Sequence, residues 1–335
     1  MRLGMFVDMR NPSSWRRVPS EHYRIWLDRI AAADRMGAEM VWLTEHHFFD
    51  DGHLPQPWTL AAAIAARTER IRIGTAVNLL PIHNSVEVAE QIALVDVISD
   101  GRVEPGFGVG YRRPEHEAFG ADFDRRYEIF VDRIHEIRAL WGEEPGATRL
   151  VRPEPIQNPM PTWAGFRGPR GARIAGVLGL GLQWLDAELL EPYLAGLNSA
   201  GHDVETARLA GSFRFLLVDD PERAWARTRE HVNYRWDSYN HYRIEGTAET
   251  PPAPVDSDEW IAQGQFILGS VDDVVSAIWE STQGLPVTDV MFWADYPGMP
   301  DDLVDRHIEL AFSELQPRLR KLANIDSKTG SVHAP

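Results

Sequence analysis

The sequence predicts a single α/β domain of the (β/α)8 barrel type, with insertions at the C-terminal face. Three observations carry that prediction. Short apolar runs alternate with segments of helical period along the chain, the pattern of a parallel sheet whose strands are joined by helices. The count of such runs is eight, and eight repeats argue closure into a barrel. The first run is followed by Asp8–Pro12, which lacks the Gly-x-Gly-x-x-Gly turn expected of a doubly wound open sheet, the structural alternative.

The elements follow in order. Leu3–Met9 reads as the first strand, and Glu21–Met36 as a helix with apolar positions Tyr23, Ile25–Leu27, Ile30 and Ala33, stopped by Gly37. Met40–Thr44 is the second strand and the Ala-rich Thr59–Arg67 the second helix. Ile71–Val77 is the third strand, and Val86–Ile98 a helix capped by Asn84-Ser85. Arg102–Val109 is the fourth strand, with a long helix over Asp124–Trp141. Pro161–Gly165 and Gly181–Leu185 supply the fifth and sixth strands, followed by helices over Gly171–Leu178 and Leu189–Ala200. Leu209–Val218 is the seventh strand, before a helix that starts at Pro221. Val287–Trp293 is the eighth, closed by a helix over Asp302–Leu315.

Two long excursions interrupt the repeat. Residues 110–123 form a polar loop, and residues 231–266 join an aromatic and histidine-rich half to a Pro-rich, acidic half. Insertions of this length in a compact domain are usually lids or binding loops. The aromatic half reads as a helix over the barrel mouth, and the Pro-rich half as its hinge. The domain is expected to span residues 1–320, with a C-terminal tail over 321–335.

Composition narrows the function classes. A formal charge of −16 across 335 residues argues against non-specific nucleic-acid binding, which needs a basic surface. With no cysteine, thiolate catalysis, disulfides and iron–sulfur clusters are excluded. No apolar run approaches the roughly 18 residues of a membrane span, and the N-terminus has too short an apolar run for a signal peptide, so a cytoplasmic protein is expected.

The chemistry concentrates at EMVWLTEHHFF, residues 39–49. An apolar strand body ends in Thr44, Glu45, His46 and His47, and barrel enzymes place their reacting groups at that end of a strand. Adjacent imidazoles bring proton-transfer capacity near neutral pH. His46, His47 and His53 lack the His-x-His or His-Glu-x-x-His spacing of a zinc site, so no metal is expected. GFGVG at 106–110 has the wrong spacing for a phosphate loop and reads as a strand end that allows close backbone approach to something flat or anionic. Phe6, Phe48, Phe49, Trp236, Tyr239 and Trp293 are candidates for an apolar mouth that receives a small organic substrate with hydrophobic surface.

TEHHF at 44–48, AARTERIRIGTAVNLLP at 65–81, AEQIALVDVISDGR at 89–102, GFGVGY at 106–111 and WAGFRGPRGARIAGVLGLGLQ at 163–183 together resemble the bacterial luciferase-like flavin-dependent monooxygenases. The resemblance runs from Leu3 to about Leu319. It implies a (β/α)8 barrel, commonly dimeric, that uses reduced FMN and O2. A separate flavin reductase then supplies the reduced flavin, since the chain carries no nicotinamide fingerprint.

Residue by residue, the resemblance implies that His46 serves flavin and oxygen chemistry, with His47 beside it and Glu45 orienting the pair. It implies a non-proline cis peptide at Ala76–Val77 beneath the flavin ring, with Asn78 at the ring edge. Gly108, Val109, Gly110 and Tyr111 stand where the family contacts the cofactor, but the luciferase itself has an arginine at the Val109 position. The phosphate contact then passes to Arg112 or Arg113, or to Arg167 or Arg170 within Gly165, Phe166, Arg167, Gly168, Pro169 and Arg170, beside the helix that starts near Gly171. Two alternatives stay open: a deazaflavin-dependent oxidoreductase that transfers hydride, and a catalytically silent flavin-binding partner subunit.

Overall fold

Residues 1–245 and 247–329 are described by a computed structural model. The barrel begins with β1 (Arg2–Val7), α1 (Pro19–Met36), β2 (Met40–Leu43) and α2 (Pro57–Ala65). The third barrel strand comes in two pieces, β3 (Arg72–Thr75) and β4 (Asn78–Leu79), and is followed by α3 (Ser85–Ser99). The fourth is also split, into β5 (Val103–Glu104) and β6 (Gly106–Gly108), and leads to α4 (Arg113–Ala118) and α5 (Arg126–Trp141). Next come β7 (Trp163–Ala164), α6 (Pro169–Val177), β8 (Gly181–Leu182), α7 (Leu190–Ser199) and β9 (Leu209–Phe213).

The chain then leaves the barrel through β10 (Phe215–Leu217), α8 (Pro221–Ile244), α9 (Ser257–Ala262), β11 (Ile267–Gly269) and α10 (Val271–Thr282). It returns in β12 (Val287–Trp293) and ends in α11 (Asp301–Leu310), a π turn over Ala311–Leu315, and α12 (Gln316–Thr329).

All barrel pairs are parallel. β1 lies between β2 and β12, and the ladder runs on through β9, β8 and β7 to β6. The ring closes because β3 pairs with β5 while β4 pairs with β6. The strands are apolar along their length since helices cover the outside and side chains fill the inside: Val41, Leu43, Ile73, Val290 and Phe292 are fully buried.

An ionic cluster closes the N-terminal end of the barrel. Arg2 pairs with Glu104 at 2.6 Å and with Asp289 at 2.8 Å, Arg72 also reaches Glu104, and the Trp163 indole donates to Glu104 at 3.0 Å. These contacts hold the Glu104 carboxyl at about 2 against the opposing effect of burial.

Several sequence expectations are corrected. The seventh strand is not one run over Leu209–Val218. It breaks at Arg214, and β10 pairs with β11 outside the barrel. The helix α10 was not read from the sequence, although Ser270 and Asp273 form a reciprocal cap at its start. The third strand ends at Thr75, before the cis peptide Ala76–Val77, which falls where the resemblance implies. The aromatic stretch from His231 is not a separate inserted helix but the second half of α8, 24 residues long. Helix α12 extends to Thr329, into the segment expected as a tail, and residues 330–335 lie outside the described residues.

His307 on α11 fastens the excursion to the barrel. Its Nδ1 accepts the Leu217 amide at 3.0 Å and its Nε2–H donates to the Trp293 carbonyl at 3.1 Å. Burial pushes this imidazole down to about 4. The unfolded chain therefore binds the extra proton first, and stability present above pH 6.5 is lost as pH falls toward 4. A depression of this size corresponds to about 3 kcal/mol. His307→Gln should flatten that part of a urea-unfolding pH series, and an unchanged slope between pH 6.5 and 4 would show that His307 does not set it.

Candidate active site

The site is built at the C-terminal ends of the strands, beginning with the loop after β2. Backbone bonds pin this loop: His46 N donates to Leu54 O, Leu54 N to Asp8 O, and Asn11 N to Asp51 O, at 2.9, 2.9 and 2.6 Å. The loop is thereby tied to the extension of β1.

Glu45 is the hub. Its carboxylate is buried and accepts four donors. Oε2 receives Asn78 Nδ2 at 2.5 Å and the Leu79 amide at 2.6 Å. Oε1 receives Nε2 of His47 at 2.9 Å and Nε2 of His83 at 2.5 Å. Burial alone would raise this carboxyl, but the His47 and His83 bonds, the His83 charge and the Leu79 amide bring it down to about 2. The spacing argument against a metal concerned His46, His47 and His53. The structure gathers a different set, Glu45, His47 and His83, whose ligand atoms lie within 4.8 Å of one another. Both imidazoles are already directed at the same carboxylate oxygen, so hydrogen bonding accounts for the cluster.

The two histidines of the motif part company just past the strand end. His47 turns to Glu45, His83 and Phe119, and its amide donates to Glu115 at 2.9 Å. His46 turns to the opposite cluster, with ring centroids 4.2 Å from His53, 5.0 Å from Phe49 and 5.7 Å from both Tyr111 and Tyr239. Glu45 thus orients His47, while the carboxylate nearest His46 Nδ1 is Glu115, at 3.8 Å. Burial lowers the His46 imidazole, which keeps it neutral near pH 7 and able to accept a proton.

The other sequence-predicted residues fall as follows. The Asn78 amide is held between Glu45 and the Trp58 indole. Val77 fills the space that Gly108 and Gly165 leave open: a Cβ on either would come within 2.3 or 2.4 Å of a Val77 methyl. Of the strand glycines in GFGVG, Gly108 thus approaches Val77, while Gly106 approaches the Thr75 carbonyl and Gln183. Gly110 has φ +73°, and a side chain there would strike the His116 ring. Val109 is buried, and Tyr111 is partly exposed beside His46.

Arg112 is buried and committed. It donates to the His47 carbonyl at 2.6 Å, Glu115 at 2.9 Å and the Tyr242 carbonyl at 3.2 Å, and it pairs with Glu245. Arg113 pairs with Asp124 on the surface. Arg167 and Arg170 are exposed and lie over aromatic rings, 4.7 Å from Trp184 and 4.6 Å from Tyr127. Between them, α6 starts at Pro169 with Gly168 as an N-cap that supplies no side-chain bond, and Phe166 packs beneath.

The expected aromatic mouth divides. Phe6 and Trp293 are in contact, with centroids 4.1 Å apart, and Trp236 and Tyr239 stand 6.0 Å apart on α8. Phe48 is 63% exposed and lies on the far side of His47, toward Phe119, apart from that set. Sequence reasoning missed His53 and Glu115, which adjoin His46, and the buried pairs of Arg10 with Asp51 and Arg235 with Asp8. Arg10 pairs with Asp51 at 2.7 Å and Arg235 with Asp8 at 2.5 Å. Asp8 lies one residue past β1, and that strand-end position is the signal that could have singled it out.

Imidazoles, buried carboxylates and aromatic rings thus gather at the C-terminal ends of the barrel strands, the end at which barrel enzymes carry out their chemistry. The model of the luciferase-like monooxygenase family matches residues 1–287, and the chain belongs to that family. The chain is similar to the oxygenase component of flavin-dependent trigonelline monooxygenase from Acinetobacter baylyi, with 24% identity over all of this chain and 99% of the relative. It is 29% identical to the F420-dependent hydroxymycolic acid dehydrogenase of Mycobacterium tuberculosis, over 69% of this chain and 71% of the relative. Among solved structures, monooxygenase RslO1 from Streptomyces bottropensis shares the fold, with a TM-score of 0.79 at 23% identity over 95% of this chain and 99% of that one. The chain is therefore a luciferase-like flavin-dependent monooxygenase or a related oxidoreductase.

Removing the hub exposes its worth. Glu45→Ala leaves Asn78, Leu79, His47 and His83 donors without an acceptor in the interior, which costs roughly 3–5 kcal/mol. Urea unfolding should report a loss of that order; a loss below about 1 kcal/mol would show that the cluster tolerates disassembly.

Proposed function

We propose that the chain is the oxygenase component of a two-component FMN-dependent monooxygenase that oxygenates a small organic substrate. A separate reductase would deliver the reduced flavin, a reading supported by the likeness to the trigonelline enzyme, which is an oxygenase component. The observation that carries the reading is the neutral, buried His46 imidazole with an unpartnered Nδ1, set in the mouth of a luciferase-family barrel.

Two features support a seat for a phosphorylated planar cofactor. Helix α6 starts without a side-chain cap, so the Arg170 and Gly171 amides are left for an anion. Arg167 and Arg170 flank that start without an ion pair to any described carboxylate. Bound reduced FMN would supply the electrons that activate O2.

The chain's own residues then do the rest. His46 holds or moves a proton at its ring nitrogen, with Glu115 stabilising the charged ring. Tyr239, Trp236 and Trp293 wall the substrate space and exclude water. Helix α3 carries Val86, Leu94, Val97 and Ile98 on its outer side, each 37–49% exposed, and this face supports assembly as a homodimer.

A second reading, a deazaflavin-dependent hydride-transfer enzyme, is supported by the likeness to the mycobacterial dehydrogenase. Anaerobic titration separates the two. Reduced FMN should bind at micromolar strength, and tight deazaflavin binding with none of reduced FMN would reverse the order. His46→Ala should leave FMN affinity within a few fold, cut coupled product formation by roughly 10²–10⁴, and raise hydrogen peroxide release. Unchanged coupling would reduce His46 to a structural residue. Replacing the responsible arginine, Arg167 or Arg170, by Ala should weaken FMN by about one to two decades and leave riboflavin nearly unaffected. Equal losses for both flavins would refute the phosphate assignment.

A further inference from the structure

Several buried polar atoms at this end of the barrel lack partners among the described residues, and those of Arg235 and Trp236 share a chemical character. Arg235 on α8 is fully buried. Its Nη1 donates to Asp8 Oδ2 at 2.5 Å, while Nε and Nη2 have no hydrogen-bond partner among the described residues. Those two nitrogens form one complete side of the guanidinium, the edge that matches the two oxygens of a carboxylate.

The indole Nε1 of Trp236, the next residue, is likewise buried and unpartnered. Both ring nitrogens of His53 are too, with its centroid 4.2 Å from His46 and 5.7 Å from Tyr239. Guanidinium and indole nitrogens can only donate. What they lack is an acceptor.

The surroundings are flat and apolar. The Arg235 guanidinium lies 3.2 Å from the Trp293 ring centroid, 5.6 Å from Tyr239 and 5.8 Å from Trp236. A buried donor left unmet is costly, and donors in a native interior are ordinarily paired. Aliphatic aldehydes or alkanes would fill the aromatic space and leave this edge bare.

Building on the monooxygenase reading, we propose that the substrate is a planar molecule bearing a carboxylate. The Nε–Nη2 edge of Arg235 receives the carboxylate, with the Trp236 indole N–H as a further donor, and Trp293 and Tyr239 flank the planar body. Asp8 holds the third guanidinium nitrogen and so fixes which edge faces the substrate. The other buried guanidiniums at this mouth are spent, Arg10 on Asp51, Ser238 and the Arg235 carbonyl, and Arg112 on Glu115 and the His47 and Tyr242 carbonyls. Arg235 is thus the residue that selects for charge.

The test compares 2-naphthoate with 2-naphthamide, an uncharged isostere, by isothermal titration of the full chain with and without FMN. The wild-type protein should bind the acid at least tenfold more tightly than the amide. Arg235→Met should abolish that preference while amide affinity stays within a few fold. Arg235→Lys keeps the positive charge beside Asp8 but not the two-donor edge, so its preference should fall to threefold or less. It remains decisive if the Met variant does not fold. Equal affinities in the wild-type protein, binding of neither probe at millimolar concentration, or a preference that survives Arg235→Lys would each overturn the proposal. The flavin titrations fail independently: a protein that binds naphthoate through Arg235 but no FMN retains the anion site and loses the monooxygenase reading.

Discussion

One buried negative charge organises the catalytic end of this barrel. Glu45 stands just past β2, yet its four hydrogen bonds tie down Asn78 and Leu79 on the third barrel strand, His47 on its own loop, and His83 ahead of α3. A carboxylate in an interior is stable only when its lone pairs are filled, and here Oε1 and Oε2 each take two donors. The consequence reaches His46, which Glu45 does not touch. With His47 drawn toward Glu45 and its amide held by Glu115, the preceding residue faces the other way, into the His53, Tyr111 and Tyr239 cluster. The position of the His46 imidazole is set by what its neighbour is bonded to.

The two ends of the barrel use the same residue types to opposite effect. At the N-terminal end, Arg2, Arg72, Glu104 and Asp289 form an ionic plug in which Glu104 alone gathers Arg2, Arg72 and Trp163. At the C-terminal end, Arg10 and Arg235 have their acids, but His46, His53, Arg235 and Trp236 keep atoms without a partner among the described residues. A plug holds strands together when its groups find partners within the protein. A site works when some partners must come from outside, and the division follows the usual split in barrels between stability at one face and chemistry at the other.

The eight-strand order was legible because each strand is a short apolar run bounded by helical periodicity, and every barrel strand except β4 lies within the run that predicts it or overlaps it by most of its length. TEHHF was legible because polar residues at the tip of an apolar strand have no reason to be there unless the chemistry or the packing needs them. What stayed hidden has physical causes. Asp8, Arg235 and Trp293 meet only through the fold, as do His46 and Glu115, so no local spacing joins them. The break at Arg214 was invisible since Leu209–Phe213 and Phe215–Leu217 are equally strand-like, and only the pairing partner changes, from β12 to β11. Phe48 carries the composition of a pocket residue, but with φ +63° it turns outward beside Phe119. Arg112 looks on sequence like a free cation at the rim, and it is consumed in holding the His47 and Tyr242 carbonyls.

Helix α8 joins wall and recognition in one element. Arg235, Trp236 and Tyr239 sit at spacings of one and four residues, so a single helical turn presents a cation, an indole N–H and a phenol ring to the barrel mouth. Its N-terminal half faces elsewhere: Trp225 and Arg229 bind Asp258 of α9, and Arg227 pairs with Asp302. The turn from Arg235 is itself held by Asp8 and Arg10 at the end of β1, contacts independent of Glu45. Substitutions along residues 235–239 can alter which substrates enter without loosening the Glu45 network that positions His46. On the proposed reading, proton handling then belongs to the strand ends and substrate choice to α8, so that the two can change separately.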